Sequence, residues 1–380
     1  MGSIDKRIRT KRDGSSYHVW RARTRLRNGQ ARSKTFARKV DAETWLTTIE
    51  AGKLDGTAAD PKRGRTLYGT WLDRWQPARR HGRRPSTVAR DDSYLDNHVR
   101  PHWADWQLAA IERADVADWV GSLTDDKGLA PATVAKIYQL FSASIEDAVT
   151  ERYLGVSPCR SIELPKVRKS SIRFLTPDEV ARLADNIDRR YRALVFVAGY
   201  GGLRIGELAG LHRGDVDVKR RQLRVERSAS WVKGHLHLHD EPKTSAARRS
   251  IGLPEFVTDE LVDHLEQYAG PKIVFPSPGG GYIDPNRFRR RQFDPAVKAA
   301  GLGELHPHEL RHTAVSLWIA QGADVKRVAA RAGHASVSFT LDRYGHLYPD
   351  SDDDLMGALD KIGRAASTES NVVSIRPKGA

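Results

Sequence analysis

Arginine occupies every second position from Arg21 to Arg27, and this alternation constrains the fold of the first part of the chain. Successive side chains of a β-strand point to opposite faces, so a strand here would carry its arginines on one face. Asn28-Gly29 follows, a dipeptide typical of tight hairpin turns, and residues 31–36 have the composition of a further strand. A helical pattern begins at Asp41. The pattern predicts a small three-stranded β-sheet plus a helix in residues 1–60.

The same segment holds most of the excess positive charge. The 380 residues carry 63 Lys and Arg against 48 Asp and Glu, a net charge of +15, and residues 1–64 contain sixteen of the basic and seven of the acidic residues. A basic surface raises the affinity for a polyanion, and a sheet with an arginine face can lie along a DNA groove. Arg21, Arg23 and Arg25 are therefore candidate DNA contacts. A solvated charged face is the alternative.

Composition excludes several classes of protein. Cys159 is the sole cysteine, which excludes a disulfide framework and a cysteine-based zinc cluster. No apolar run approaches the ~20 residues that a membrane-spanning helix needs. The basic N-terminal segment has no apolar core of a secretion signal. We expect a soluble, cytoplasmic protein with no membrane partner.

The middle of the chain contains few strand signals. A small, polar segment from Ala58 to Arg65 has the composition of a linker. Helical patterns cover 67–75, 86–98 with Ser86 as the N-cap, 113–123, and 131–152 with Pro131 in the first turn. Residues 66–157 are therefore predicted to form an all-helical domain, followed by a second linker up to Arg173.

A third domain is predicted over residues 174–365, with a flexible tail over 366–380. It opens at Thr176-Pro177-Asp178-Glu179, a capping box with proline at the first helical position. A buried apolar helix follows at 193–201. Strand-like runs cover 222–226, 231–239 and 248–253. The prediction for the whole chain is a multidomain α+β fold, whose last domain is mainly helical with a small antiparallel sheet.

Six residues of this domain form an ordered series of basic groups that ends in a tyrosine. They are Arg204, Lys243, His308, Arg311, His334 and Tyr344. Each alone is a weak signal, but the order Arg, Lys, His-x-x-Arg, Gly-His and a Tyr ten residues later is specific. The series resembles that of the tyrosine recombinase (phage integrase) family. The resemblance covers the whole chain and is strongest over 174–350.

The resemblance implies a role for each of these residues. Arg204 and Arg311 would bind the non-bridging oxygens of a phosphodiester through bidentate, permanently cationic contacts. His308 and His334 would add hydrogen-bond donors and help to move a proton. The Tyr344 oxygen would form a 3′-phosphotyrosyl bond and release a 5′-hydroxyl, for which Lys243 would be the general acid. Glu207, three residues after Arg204, would orient that arginine. No metal or other cofactor is expected.

Other residues compete for these roles. Tyr348 lies four residues after Tyr344, but Tyr344 has the family spacing from His334. Lys233 competes with Lys243. His306 and His312 flank His308, which alone has the His-x-x-Arg register, so both are expected to be structural.

Two other patterns occur in this domain. His235, His237 and His239 share one face of a predicted strand, where a solvated or DNA-facing strand is favoured over a metal site. Ala332 stands where the family usually has leucine, before Gly-His.

The predicted function is that of a site-specific DNA recombinase that integrates a phage or another mobile element into a chromosome. The resemblance implies an arm-type DNA-binding domain at 1–60, a core-type DNA-binding domain at 66–157, and a homotetramer on double-stranded DNA attachment sites. It also implies a directionality factor or host DNA-bending protein as accessory partners, and a nucleoid location in a bacterial host. A type IB topoisomerase and a DNA-binding protein without catalysis are the alternatives.

Overall fold

Small antiparallel sheets and a larger number of helices alternate along the chain. The computed structural model describes residues 2–10, 14–25, 31–54, 61–167, 172–239, 248–268, 270–348 and 353–368. The chain divides into two units, Met1–Lys169 and Ser170–Ala380. None of the helices in the described ranges is both long and apolar enough to cross a membrane.

The first unit begins with the predicted sheet and helix. Strands β1 (Ser3–Thr10), β2 (Ser16–Arg25) and β3 (Ala31–Phe36) pair antiparallel in that order, and helix α1 (Lys39–Leu54) follows. Ala22 in β2 is buried with Ala42 and Leu46 of α1. Along β2 the buried residues Ala22 and Thr24 alternate with Arg21, Arg23 and Arg25. This confirms the prediction that the arginines share one face of the strand. The predicted turn at Asn28-Gly29 lies outside the described residues.

The rest of this unit is helical, as predicted. Its helices are α2 (Pro61–Gly64), α3 (Tyr68–Arg80), α4 (Pro85–Tyr94), α5 (Arg100–Trp103), α6 (Arg113–Asp125) and α7 (Pro131–Thr150), with a π-helical turn at Leu95–Val99 and a 3-10 turn at Leu108–Ala110. Large rings fill the core: Trp103 stacks on Phe141 at 5.2 Å between centroids and meets Trp119 edge-on at 5.6 Å. Aromatic pairs of this kind bury a large area, so they dominate the packing of the unit.

Two local predictions for this unit are wrong. The predicted linker at 58–65 contains α2, because Pro61 supplies the first position of a helix and Arg63 anchors the turn by donating to the Glu151 carbonyl at 2.9 Å. Ser86 is not an N-cap. Arg84 holds that position and Pro85 is the first helical residue, since the fixed φ of proline suits the first turn.

The second unit contains a mainly helical fold with two small antiparallel sheets, which confirms the predicted fold class. Its helices are α8 (Pro177–Asn186), α9 (Arg192–Gly201), α10 (Ile205–Ala209), α11 (Glu255–Gln267), α12 (Pro285–Phe288), α13 (Asp294–Ala299), α14 (Pro307–Ala320), α15 (Val325–Ala332), α16 (Val337–Tyr344) and α17 (Asp353–Thr368). Its strands are β4 (Val216–Asp217), β5 (Gln222–Val225), β6 (Ser228–Val232), β7 (His235–His239) and β8 (Arg249–Gly252). The sheets have the orders β4-β5-β8 and β6-β7. The apolar helix α9 is almost wholly buried and contacts α8, α11 and α14, so it forms the centre of the unit.

Local signals in this unit have mixed outcomes. The capping box is present: the Glu179 amide donates to Thr176 Oγ1 at 3.2 Å, and the Thr176 amide donates to Glu179 Oε2 at 2.9 Å. The predicted single strand 231–239 is instead a hairpin, because Lys233 and Gly234 have φ values of 51° and 82° and form a tight turn. Helix α17 extends to Thr368, three residues into the predicted tail at 366–380, and residues 369–380 lie outside the described ranges.

Candidate active site

Arg204 and Glu207 form an ion pair at the start of α10. Gly202 ends α9 in the left-handed conformation (φ 69°), and a Cβ atom there would lie 2.6 Å from the Trp318 ring, so glycine is required. Arg204 is the N-cap of α10. Glu207 Oε2 accepts from the Arg204 amide at 2.9 Å and Oε1 accepts from Arg204 Nη1 at 2.8 Å. The predicted contact between carboxylate and guanidinium is therefore present.

A second arginine, which no sequence pattern assigned to the site, completes the surroundings of Glu207. Arg249 of β8 donates from Nη2 to Glu207 Oε2 at 2.9 Å and from Nη1 to Oε1 at 3.2 Å, and both side chains are only 6% exposed. Burial disfavours the charged carboxylate, but the hydrogen bonds and charges of Arg249 and Arg204 outweigh it and lower the pKa of Glu207. Glu207 is thus an anion shared by two arginines. The signal available in the sequence was the Arg248-Arg249 pair in a predicted strand.

The C-terminal end of α15 binds three arginines at three consecutive carbonyl oxygens. Arg249 Nε donates to the Arg331 carbonyl at 2.7 Å, Arg311 Nη2 donates to the Ala332 carbonyl, and Arg204 Nη2 donates to the Gly333 carbonyl at 3.2 Å. The last carbonyls of a helix have no partner within the helix and carry partial negative charge. They therefore position guanidinium groups that would otherwise repel one another.

Arg311 is the most buried of the predicted cationic residues. It lies on α14, is 2% exposed, and donates from Nη1 to the Gly202 carbonyl at 2.7 Å. Burial and the neighbouring Arg204 lower the pKa of Arg311 to about 9. Because this value remains above neutral pH, the guanidinium stays cationic.

His308 and His334 lie close to these arginines and are held neutral. His308 is in the first turn of α14, and His334 follows Gly333, which ends α15 in the left-handed conformation. The Nδ1 atom of His334 lies 2.8 Å from Thr340 Oγ1, and His334 is 8% exposed. Burial and the charges of Arg311 and Arg204 lower the pKa of His334 to about 4. His308 is exposed at the edge of the cluster, and desolvation by the surrounding protein and the charges of the same two arginines lower its pKa.

Tyr344 ends α16 inside the same cluster. Its side chain is 1% exposed, and its ring lies parallel to the His334 ring, with 6.1 Å between centroids and an interplanar angle of 8°. Its hydroxyl lies 2.5 Å from His312 Nδ1. Burial raises the pKa of Tyr344, and the charges of Arg311, Arg343 and Arg204 act in the opposite direction. The structure thus brings five of the six predicted residues together, and the sixth, Lys243, lies outside the described residues.

The structure also positions the competing residues. Tyr348 is partly buried against the apolar cluster that contains Tyr344, and burial and the charge of Asp324 raise its pKa. His306 begins α14, where its amide donates to Glu309 Oε2 at 2.5 Å. Lys233 is exposed in the β6-β7 turn. His239 Nε2 lies 3.0 Å from Ser230 Oγ, and in the described part of the chain no three His, Cys, Asp or Glu side chains are grouped to hold a metal ion.

The buried histidines predict that acid destabilises the protein. The pKa values of His312 and His334 in the folded chain are about 3 and about 4, against ~6.5 in an unfolded chain. Below pH ~6.5 the unfolded chain takes up protons that the folded chain does not, so the free energy of unfolding falls as the pH falls towards 4. We expect Tm to decrease over this range and His334→Asn to reduce the slope. Circular dichroism melts at constant ionic strength measure this. The control is His235→Asn, at an exposed position of β7, and equal slopes for the wild type and His334→Asn would contradict the prediction.

The chain is similar to known integrases in sequence and in fold. The model of the phage integrase family matches residues 173–350. A protein of Mycobacterium tuberculosis strain H37Rv, described as a prophage phiRv2 integrase, is 30% identical over 343 residues, which cover 87% of this chain and 88% of that protein. The Tn1549 transposon integrase in complex with a circular intermediate DNA has a TM-score of 0.66 at 19% identity, over 79% of this chain and 100% of that one. A lambda integrase tetramer bound to a Holliday junction has a TM-score of 0.55 at 20% identity, over 87% of this chain and 96% of that one.

The two structural similarities show a shared fold, and the sequence similarity extends over most of both chains. The matched range 173–350 contains every residue of the predicted catalytic series. This chain therefore belongs to the phage integrase family of tyrosine recombinases.

Proposed function

We propose that the chain is a site-specific DNA recombinase that cleaves and rejoins duplex DNA through a 3′-phosphotyrosyl bond to Tyr344, and so integrates a phage or another mobile element into a chromosome. The observation that carries this proposal is the cluster in which Arg311, His334 and Tyr344 are buried and Arg204 and His308 are open to solvent. Attack on a phosphodiester requires a nucleophilic oxygen, which the phenol supplies, and cationic hydrogen-bond donors beside it.

The two arginines bind the phosphate in this mechanism. A guanidinium has five N–H donors, and the contacts described above use two of those of Arg204 and two of those of Arg311. The remaining donors are available to the non-bridging oxygens, whose negative charge grows in the transition state. Because the arginines are already held by Glu207 and by the carbonyls of α15, little reorganisation is needed when that charge develops.

Bond exchange then proceeds at phosphorus. The Tyr344 oxygen forms a bond to phosphorus as the bond to the 5′-oxygen breaks, and the phenol loses its proton. Lys243, as an ammonium group, gives a proton to the departing 5′-oxygen. Neutral His308 and His334 donate hydrogen bonds to the phosphate and assist removal of the phenol proton. The phosphotyrosyl bond retains the energy of the broken bond, so rejoining by a 5′-hydroxyl needs no nucleotide cofactor.

Strand exchange tests this function against its alternatives. Two duplexes that carry attachment sites and different end labels are incubated with the protein, and in parallel a supercoiled plasmid without such sites is incubated. We expect labelled recombinant duplexes. Relaxation of the plasmid without recombinants would favour a type IB topoisomerase, and binding without covalent adducts would favour a non-catalytic DNA-binding protein.

The N-terminal sheet is proposed to bind arm-type DNA sites, and residues 66–157 the core-type sites. Arg21, Arg23 and Arg25 lie on the sheet face opposite the buried Ala22, where Arg23 pairs with Asp5 and Arg21 donates to Ser33 Oγ at 3.0 Å. Arg23 and Arg25 are exposed and Arg21 is partly exposed, so phosphates can replace their present partners at small cost.

Replacing all three arginines with glutamine tests this role. Removing one cation that neutralises a phosphate reduces the slope of log affinity against log salt by ~0.9, so we expect the slope on arm-type DNA to fall by up to about 3. Fluorescence anisotropy over a salt series measures it. Binding to a core-type duplex without arm sites is the internal control, and an unchanged slope on arm-type DNA would exclude these arginines as phosphate ligands.

The C-terminal helix α17 is proposed to dock on a neighbouring subunit of a homotetramer on DNA. Met356, Leu359 and Ile362 are spaced at three residues and are 49%, 51% and 67% exposed. Such an apolar stripe favours a partner surface. Packing within the same chain is the alternative.

Substitution on that stripe distinguishes the two arrangements. In the double variant Leu359→Gln with Ile362→Gln, we expect DNA binding by single subunits to persist and the tetramer fraction to fall at least ~10-fold, since a docked helix would bury two polar amides in place of apolar side chains. Native mass spectrometry of the DNA complexes measures this, with Asp360→Asn on the same helix as the control. An unchanged tetramer fraction would favour packing in cis.

Accessory partners and location follow from the same function. A directionality factor or a host DNA-bending protein would bring distant arm and core sites together. Chromosomal attachment sites would place the protein at the nucleoid.

A further inference from the structure

The Tyr344 hydroxyl is bound by a histidine that has no role in the mechanism above. His312 lies one turn after His308 on α14, and the two rings meet edge-on at 4.8 Å between centroids. His312 Nδ1 lies 2.5 Å from the Tyr344 oxygen. His312 is 6% exposed and Tyr344 is 1% exposed, so water cannot replace either partner easily.

The position of the proton follows from the surroundings of the pair. Burial and the nearby His308, Arg343 and Arg311 lower the pKa of His312 to about 3, and burial raises the pKa of Tyr344. At neutral pH the imidazole is therefore neutral and the phenol is protonated. The phenol O–H donates to Nδ1, which leaves the imidazole proton on Nε2. The contact therefore holds a neutral phenol.

Access to Tyr344 gives a second, independent constraint. An attacking oxygen must come within ~3–3.5 Å of phosphorus, and Tyr344 is 1% exposed, whereas the side chain of Arg204, which would bind the same phosphate, is 40% exposed. In helix α16, which carries the tyrosine, only Thr340 and Tyr344 are buried, and Val337, Phe339 and Leu341 are 36%, 50% and 48% exposed. A shift of α16 that moves the tyrosine therefore withdraws these two buried side chains from their surroundings and leaves the exposed ones in solvent.

We propose that His312 is a positioning residue that holds the Tyr344 hydroxyl in a buried resting position, and that this hydrogen bond must break before Tyr344 attacks DNA. The proposal rests on the proposed function, in which Tyr344 is the nucleophile. It gives His312 a role that differs from those of His308 and His334, which act on the phosphate. The bond keeps the nucleophile away from solvent until the DNA site is bound.

Single-turnover cleavage tests the role of His312. The protein is bound in excess to a nicked suicide duplex, and the rate of adduct formation is measured for the wild type, His312→Leu and His312→Asn. Leucine removes the acceptor, whereas the asparagine oxygen can take the place of Nδ1. We expect a rate at least 3-fold higher for His312→Leu, a rate near the wild-type value for His312→Asn, and equal DNA affinities. His212→Leu is the matched control, because it removes another histidine–tyrosine hydrogen bond, that of His212 to Tyr282 at 2.9 Å. An unchanged or lower rate for His312→Leu with normal DNA affinity would overturn the proposal.

A spectroscopic measurement on the wild-type chain decides the question even if His312→Leu fails to fold. The protein is labelled with 3-fluorotyrosine, and the fluorine NMR signal of Tyr344 is identified by its absence from the spectrum of Tyr344→Phe. In the free protein we expect the chemical shift of this fluorine signal to be the same in H2O and in D2O. Once a duplex site is bound, we expect the chemical shift to differ clearly between the two solvents. A solvent-exposed signal in the free protein, or a buried one in the DNA complex, would overturn the proposal. Failure of the proposed function would appear differently, as an adduct that still forms in Tyr344→Phe.

Discussion

Tyr344→Phe is expected to abolish covalent attachment to DNA and to leave DNA affinity within about 2-fold of the wild-type value. The substitution removes only the oxygen that would bond to phosphorus, and we expect the adduct rate to fall by at least ~10³-fold because no other group of the cluster can form that bond. The ring keeps its packing against His334, and losing the hydrogen bond to His312 costs ~1 kcal/mol. Denaturing gel electrophoresis of a labelled suicide duplex measures the adduct.

Tyr348→Phe is the matched control for this experiment. It removes a phenol oxygen four residues away in the sequence, and the pKa of that phenol is raised by burial and by the charge of Asp324. Normal adduct formation is expected. Loss of the adduct in Tyr348→Phe and its retention in Tyr344→Phe would reverse the assignment of the nucleophile.

Arg311→Lys is expected to reduce the adduct rate by at least ~10²-fold, although the charge is kept. The Arg311 guanidinium joins the Gly202 carbonyl to the Ala332 carbonyl and has further donors for phosphate. A single ammonium group cannot make these contacts in the same geometry. The loss of one hydrogen-bond donor that is already positioned to stabilise the charge of the transition state typically lowers the rate 10²–10³-fold. Single-turnover cleavage at saturating protein measures the effect.

Arg213→Lys is the control for the loss of a guanidinium in the same unit. Arg213 donates to the Leu265 carbonyl at 2.9 Å at an exposed position. We expect its adduct rate to be normal. Thermal melts of both variants separate a catalytic effect from unfolding, and a wild-type rate in a folded Arg311→Lys protein would exclude Arg311 from phosphate binding.

Local patterns predicted much of the fold. Alternating arginines indicated the period of strand β2, and Thr176 with Glu179 marked the start of α8, since such signals depend on neighbours within a few residues. Two errors arose where proline or a left-handed residue overrode composition. Pro61 begins a helix within a predicted linker, and Lys233-Gly234 divides a predicted strand.

The sequence by itself determined the family and the identity of the candidate catalytic residues, because the order and spacing of Arg204, His308, Arg311, His334 and Tyr344 are carried by the chain alone. Only the tertiary structure decided how those residues are held. Arg249 reaches Glu207 from 42 positions away, three arginines meet the end of α15, and His312 meets Tyr344 across 32 positions. Hydrogen bonds of this range depend on which helix ends and strands the fold brings together, and no local periodicity or spacing records them.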